Sequence, residues 1–179
     1  MKAPHQPPRL LLVAGLPASG KTWFARALAT SLEANHLNSD KVRNALGLRG
    51  HYDPTSKLQV YQAMFRQAEK ALQQGETVVV DATFYKQSLR QPWIDLARQC
   101  RVPCFLLEIR IPQELALERL LVKRADSEAT QEVYFELKSQ WESIDENHLV
   151  IEAANRSTEE MMAVAATFLS EEHNAIPLS

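Results

Sequence analysis

Two spacings of apolar residues alternate along the chain. Short, mostly apolar runs at Leu10–Ala14, Thr77–Val80 and Pro103–Ile109 predict strands, with weaker ones at His36–Leu37 and His148–Glu152. Between them lie stretches whose apolar positions recur at helical spacing: Thr22–Leu32, Lys57–Gln74, Ser88–Cys100, Gln113–Val122, Glu128–Ile144 and Thr158–Leu169. Leu58, Tyr61, Phe65, Ala68 and Leu72 make one such stripe, stopped by Gly75; Val133, Leu137, Trp141 and Ile144 make another. Ser157 with Glu160 has the spacing of a capping box opening the last helix. Val78-Val79-Val80 is apolar on successive residues, so that strand is expected to be buried on both faces. Strands of that kind alternating with helices predict an α/β domain with a parallel sheet between helical layers.

At 179 residues the chain suits one domain with a substantial core. Its net charge of -2 gives no overall signal for binding nucleic acid. Cys100 and Cys104, with no histidine or third cysteine near them, read as thiols of a reduced compartment, and the five histidines lack metal-ligand spacing. No apolar run reaches the roughly 18–20 residues of a membrane helix. These features predict a cytoplasmic protein, with residues 1–8 as a leader, 9–170 as the domain and 171–179 as a tail.

The first strand runs directly into G-L-P-A-S-G-K-T, comprising Gly15, Leu16, Pro17, Ala18, Ser19, Gly20, Lys21 and Thr22, and a helix follows. Strand, glycine-rich turn and helix in that order form a phosphate-binding loop. Gly15 and Gly20 let the backbone wrap with its N–H groups inward, and the helix start adds to the same anion nest. Lys21 then reaches the β- and γ-phosphates of a nucleoside triphosphate, and Thr22 offers its hydroxyl to Mg²⁺.

Other residues take meaning from that loop. Asp81 closes the buried run at the carboxyl end of a strand, where ligands meet an open α/β sheet. It is a candidate for Mg²⁺ or for orienting an acceptor, with a helix-capping role as the alternative; Thr83 shares that mouth. Asp40 and Arg43, three apart after the weak second strand, face one pocket if Asp40 starts a helical turn. A carboxylate there can take the proton of an attacking hydroxyl, and the guanidinium can hold an anionic or polar acceptor. Arg119 and Arg124 flank a helix end from which they can reach a triphosphate, with Lys123 between them. Arg156 follows the weak last strand and is a candidate for bordering the base. Trp23, Trp93, Trp141, Tyr134, Phe135 and Leu137 sit in helical patterns and are expected to pack.

These blocks together resemble the compact P-loop kinases related to polynucleotide 5'-kinases, also described as AAA-type ATP-binding domains. Zeta-toxin, chloramphenicol phosphotransferase and gluconate kinase are more distantly similar. The resemblance runs from about Leu10 to Leu169. It rests on the loop, on Asn38-Ser39-Asp40-Lys41-Val42-Arg43 (the family's D-x-x-R), on Val78–Thr83, and on Glu118 through Arg119 and Arg124 to Asp126-Ser127. It implies an adenylate-kinase-like three-layer sandwich, a five-stranded parallel sheet of order 2-3-1-4-5, and a small helical lid near 119–135. It also implies ATP and Mg²⁺, with transfer of the γ-phosphate to a hydroxyl. By position, Asp40 matches the general base, Arg43 an acceptor ligand, Arg124 the lid arginine, and Asp81 a residue near acceptor or metal. The implied acceptor is a 5'-hydroxyl of a nucleic acid or nucleotide. A small-molecule alcohol kinase and a nucleotide-binding regulatory ATPase are the other classes that the residues allow.

Overall fold

The computed structural model describes residues 7–122 and 129–177. Five strands, β1 (Leu10–Ala14), β2 (Asn35–Asn38), β3 (Val78–Asp81), β4 (Cys104–Arg110) and β5 (Leu149–Glu152), form one sheet of order β2-β3-β1-β4-β5. Each of these pairings is parallel, as expected of strands buried on both faces. The helices are α1 (Lys21–Ser31), α2 (Ser39–Ala45), α3 (Pro54–Gln73), α4 (Gln87–Cys100), α5 (Gln113–Leu121), α6 (Gln131–Ser139) and α7 (Thr158–Ser170).

Alternation along each strand divides the core into two layers. Leu10, Leu12, Val78, Val80 and Leu106 pack with Val60 and Met64 of α3 and with Trp93 and Leu96 of α4. Leu11, Val13, Val79 and Leu107 pack with Phe24 and Leu28 of α1 and with Met161 and Ala165 of α7. Each such side chain contributes about 2 kcal/mol by leaving water. The layers therefore hold the carboxyl ends of β1, β2 and β3 in one crevice.

The structure adds detail that periodicity missed. The chain after β2 folds into α2, capped by Asn38, whose Oδ1 accepts from the Lys41 N–H at 2.9 Å. Helix α3 begins earlier than its apolar stripe because Asp53 caps it, accepting from Ser56 N–H at 3.0 Å, and Pro54 follows with φ already set. Leu58 is 57% exposed, so the buried stripe of α3 is Val60, Met64 and Ala68 instead. Helix α6 stops at Ser139, short of Trp141 and Ile144. There the backbone finds other partners: Glu142 N–H donates to the Tyr85 carbonyl at 2.8 Å, and the buried Arg90 donates to the carbonyls of Phe84 (2.9 Å) and Ser143 (2.8 Å). Trp141 and Ile144 thus reach the α3–α4 core from an irregular segment. Beyond α7, Ile176 is buried and donates to the Cys104 carbonyl at 2.8 Å. The capping box at Ser157 and Glu160 is present, and both cysteines are free. Among the described residues no helix is long and apolar enough to cross a membrane.

Candidate functional site

The loop from Gly15 to Gly20 turns tightly enough for Ser19 N–H to reach the Leu16 carbonyl at 3.2 Å. Ala18 (φ 64°) and Gly20 (φ 94°) both take left-handed backbone conformations. Alternation of this kind turns successive N–H groups inward and builds an anion nest at the start of α1. Glycine is required at position 15 by space: a Cβ there would lie 2.7 Å from the Ile109 carbonyl oxygen of β4 and 2.7 Å from Ser19 Oγ. The Ser19 hydroxyl is itself buried without a hydrogen-bond partner.

Thr22, Asn38 and Asp81 meet beside this loop. Sheet register places Asn38 opposite Asp81, and Asn38 Nδ2 donates to Asp81 Oδ2 at 2.6 Å. The same amide lies 3.5 Å from Thr22 Oγ1. Since Asn38 Oδ1 also caps α2, one side chain ties the turn carrying Asp40 to the phosphate loop. His36 Nε2 stands 3.5 Å from Asp81 Oδ2, too long for a full hydrogen bond. Burial pushes the Asp81 carboxyl up. The His36 imidazole, the Lys21 ammonium, the Asn38 amide and the Thr22 hydroxyl outweigh that and hold it below the usual carboxylate value. Asp81 is therefore an anion aimed at the loop, and its Oδ1 is buried with no hydrogen-bond partner.

Magnesium fits this donor set. A buried carboxylate oxygen without a partner and a nearby hydroxyl are hard oxygen ligands of the kind Mg²⁺ shares with substrate phosphates. No group of three or more His, Cys, Asp or Glu side chains suited to a metal occurs among the described residues.

Asp40 and Arg43, the residues expected to face an acceptor, both lie on α2. Asp40 lies in the first turn of α2 and is half-buried. Arg43 is buried; it donates to the His51 carbonyl at 2.7 Å, its guanidinium lies 4.5 Å from the Tyr52 ring centroid, and its Nε has no hydrogen-bond partner. Tyr61, expected to be part of an apolar stripe, sits edge-on to Phe84 with centroids 6.3 Å apart. Burial, then Tyr85 and Asp40, raise its phenol pKa against the charge of Arg43, so Tyr61 keeps its proton among these groups.

The remaining sequence candidates separate. Arg119, on α5, donates to the Ala18 carbonyl at 3.1 Å and so stands against the loop. Thr83 meets the loop through its backbone, its carbonyl accepting from Gly15 N–H at 3.3 Å. Arg156 is exposed in the turn between β5 and α7. Lys123, Arg124, Asp126 and Ser127 lie outside the described residues.

Sequence reasoning gave no role to Asn38 or His36. The signal for Asn38 was present, an asparagine ending a strand just before an acidic helical turn, but its second partner is 43 positions away. It also missed Glu108 on β4, buried beside Ala14, whose carboxylate accepts from Arg110 Nε and Nη2 at 2.7 Å each and steadies the strand end behind the loop. Among residues expected to pack, Trp93 and Tyr134 do so. Phe135 (46% exposed) and Trp23 (67% exposed) do not.

Comparison with known proteins bears on the family and the fold. A family model described as an AAA domain matches residues 10–144. The uncharacterized protein Rv2004c of Mycobacterium tuberculosis is 26% identical over 165 residues, covering 85% of this chain and 33% of its own length. The chain thus spans about a third of the curated relatives it matches. Kti12 of Chaetomium thermophilum, solved with ADP-AlF3, superposes with a TM-score of 0.71 at 22% identity, covering 89% of this chain and 97% of that one. The Mycobacterium tuberculosis APS kinase CysC, solved with AMPPNP and APS, gives 0.71 at 15% identity, with 92% and 99% covered.

Proposed function

The chain belongs to the AAA-domain family of P-loop kinases, and from that membership we propose that it transfers the γ-phosphate of ATP, with Mg²⁺, to an acceptor hydroxyl. The observation that carries this reading is the double use of Asn38, which joins the Asp40 turn to Asp81 and Thr22 at the phosphate loop.

The triphosphate lies in the Gly15–Thr22 nest, with Lys21 on its β- and γ-phosphates. Thr22 and Asp81 would hold Mg²⁺, which when bound would neutralise developing charge on the phosphate oxygens. Asp40 receives the proton of the attacking hydroxyl as the new O–P bond forms and the bond to ADP breaks. Arg119, already against the loop, adds positive charge beside the transferring group; the role of lid arginine, which the resemblance gives to Arg124, belongs to the same scheme. Arg156 borders the base. Arg43 and Thr83 shape the acceptor side, and an acceptor oxygen reaching Arg43 supplies the partner its Nε lacks. Positioning and fixed charge then account for most of the rate enhancement.

The leading acceptor is a 5'-hydroxyl of a nucleic acid or nucleotide. A small-molecule alcohol is the second reading. It is favoured by the burial of Arg43 under Tyr52, which suits a compact acceptor better than a long phosphate backbone.

Transfer from labelled ATP tests both, using 5'-hydroxyl DNA and RNA oligomers, nucleosides, sugars and amino alcohols, with Lys21→Ala as blank. Asp40→Asn is expected to lower turnover about 100-fold or more while ATP affinity stays unchanged. Acceptor-dependent ADP release that is equal in wild type and Asp40→Asn removes Asp40 from its role. ATP binding with no acceptor-dependent release from any compound favours the regulatory ATPase.

A further inference from the structure

Three tryptophans occur in this chain, and their environments differ. Trp93 is buried, and Trp141 packs against the same core. Trp23 is 67% exposed in the first turn of α1, two residues beyond Lys21, with the Arg26 guanidinium 5.6 Å from its ring centroid. Its neighbours Phe24 and Ala25 supply the buried face of α1, so packing leaves the Trp23 indole unexplained.

Its position relative to the loop gives it a use. Thr22 turns its hydroxyl toward Asn38 and Asp81, on the β2–β3 side. One residue later the helix has rotated by about 100°. Trp23 directly follows the loop in the chain and lies with Arg26 and Thr30 on the exposed face of α1, turned from the side on which Thr22 meets Asn38 and Asp81. From the β4 side, α5 brings Arg119 Nη1 to 3.1 Å from the Ala18 carbonyl and 3.8 Å from where a Cβ on Gly20 would lie. On the phosphate-loop reading, with the terminal phosphates at Lys21 and Asp81, the nucleoside is taken to leave past the first turn of α1, on the side away from Asp81. A wide flat indole steadied by a cation at that exit is a surface suited to a planar ring.

We propose that Trp23 is the base-stacking residue of the nucleotide site, with the purine of the bound triphosphate lying against the indole. This rests on the phosphate-loop reading and adds the residue that recognises the nucleoside. Stacking is tolerant of base identity, so ATP and GTP both gain from it, and inorganic tripolyphosphate, which has no ring, gains nothing.

Tripolyphosphate is therefore the discriminating probe. Titration calorimetry with Mg²⁺ present compares ATP and tripolyphosphate on wild type, Trp23→Ala and Trp23→Phe. Trp23→Ala is expected to weaken ATP about tenfold or more and to leave tripolyphosphate within about twofold, with Trp23→Phe in between. Wild-type tryptophan fluorescence should change with ATP and hold steady with tripolyphosphate, and the change should vanish in Trp23→Phe. Because the indole is exposed, unaltered thermal melting of both variants is expected. The proposal is overturned if Trp23→Ala binds ATP like wild type, or if it loses ATP and tripolyphosphate equally. Wild-type protein that binds neither probe overturns the phosphate-loop reading itself, an outcome distinct from a failure of Trp23 alone.

Discussion

Replacing Asn38 by alanine removes two short hydrogen bonds, besides the long 3.5 Å approach to Thr22 Oγ1, and the sizes of the two can be separated. The first is the cap on α2, the bond from Lys41 N–H to Asn38 Oδ1 at 2.9 Å, worth about 1 kcal/mol. The second is the bond from Asn38 Nδ2 to the fully buried Asp81 carboxylate at 2.6 Å, worth about 2 kcal/mol because one partner is charged and water cannot replace the donor. Losing both is expected to lower stability by about 3 kcal/mol, or the melting temperature by about 8 °C for a domain of this size. Asn38→Ser keeps a capping oxygen but is too short to reach Asp81, so it should retain about a third of the difference. Urea denaturation of both variants, with Asp81→Asn and the double variant completing a cycle, isolates the Asn38–Asp81 coupling. In the kinase assay, Asn38→Ala should lower turnover more than Asn38→Ser, since only the former also loosens the turn carrying Asp40. The reasoning fails if Asn38→Ala costs under about 1 kcal/mol, or if its effect and that of Asp81→Asn simply add.

Three further outcomes follow from the same geometry. Gly15→Ala drives a Cβ to 2.7 Å from the Ile109 carbonyl, which a central strand cannot move aside, so about 1–3 kcal/mol of stability and measurable ATP binding should be lost together; normal ATP affinity in a folded variant would contradict this. The folded Asp81 carboxyl titrates below its ordinary value of 3.8, so its ionised form stabilises the fold above that pH. That contribution is lost as pH falls through the folded value, and the acid limb of a urea-midpoint against pH curve should flatten in Asp81→Asn. Burial pushes the Cys104 thiol up to about 12 and, with Glu69 nearby, raises that of the half-buried Cys100, so a thiol reagent at mildly alkaline pH should label Cys100 slowly in the native protein and Cys104 only after unfolding.

Much of the architecture was legible in the residues because the relevant signals are local. A run such as Val78-Val79-Val80 demands cover on both faces wherever it occurs, and the helical stripes demand one buried side each. The phosphate loop is the clearest case: it is built from consecutive residues and needs little more than glycine at 15 and 20 and a helix to follow. Family resemblance carried the reading from these pieces to the strand order 2-3-1-4-5, which the sheet shows. Periodicity misled where an apolar side chain had a choice of partners. Trp141 and Ile144 matched the stripe of α6, yet carbonyls held by Arg90 and an N–H taken by Tyr85 end that helix first.

The chain by itself determined an α/β domain with a cradle for phosphate at the end of its first strand, since each part follows from neighbouring residues. Tertiary structure alone decided what surrounds that cradle. Parallel register sets Asn38 against Asp81, α5 delivers Arg119 to the Ala18 carbonyl, and the packing of α1 through Phe24 and Ala25 leaves Trp23 in solvent beside the loop. These contacts join residues far apart in the chain, and the balance of burial, charge and hydrogen bonding that selects them exists only once the sheet has brought those residues together.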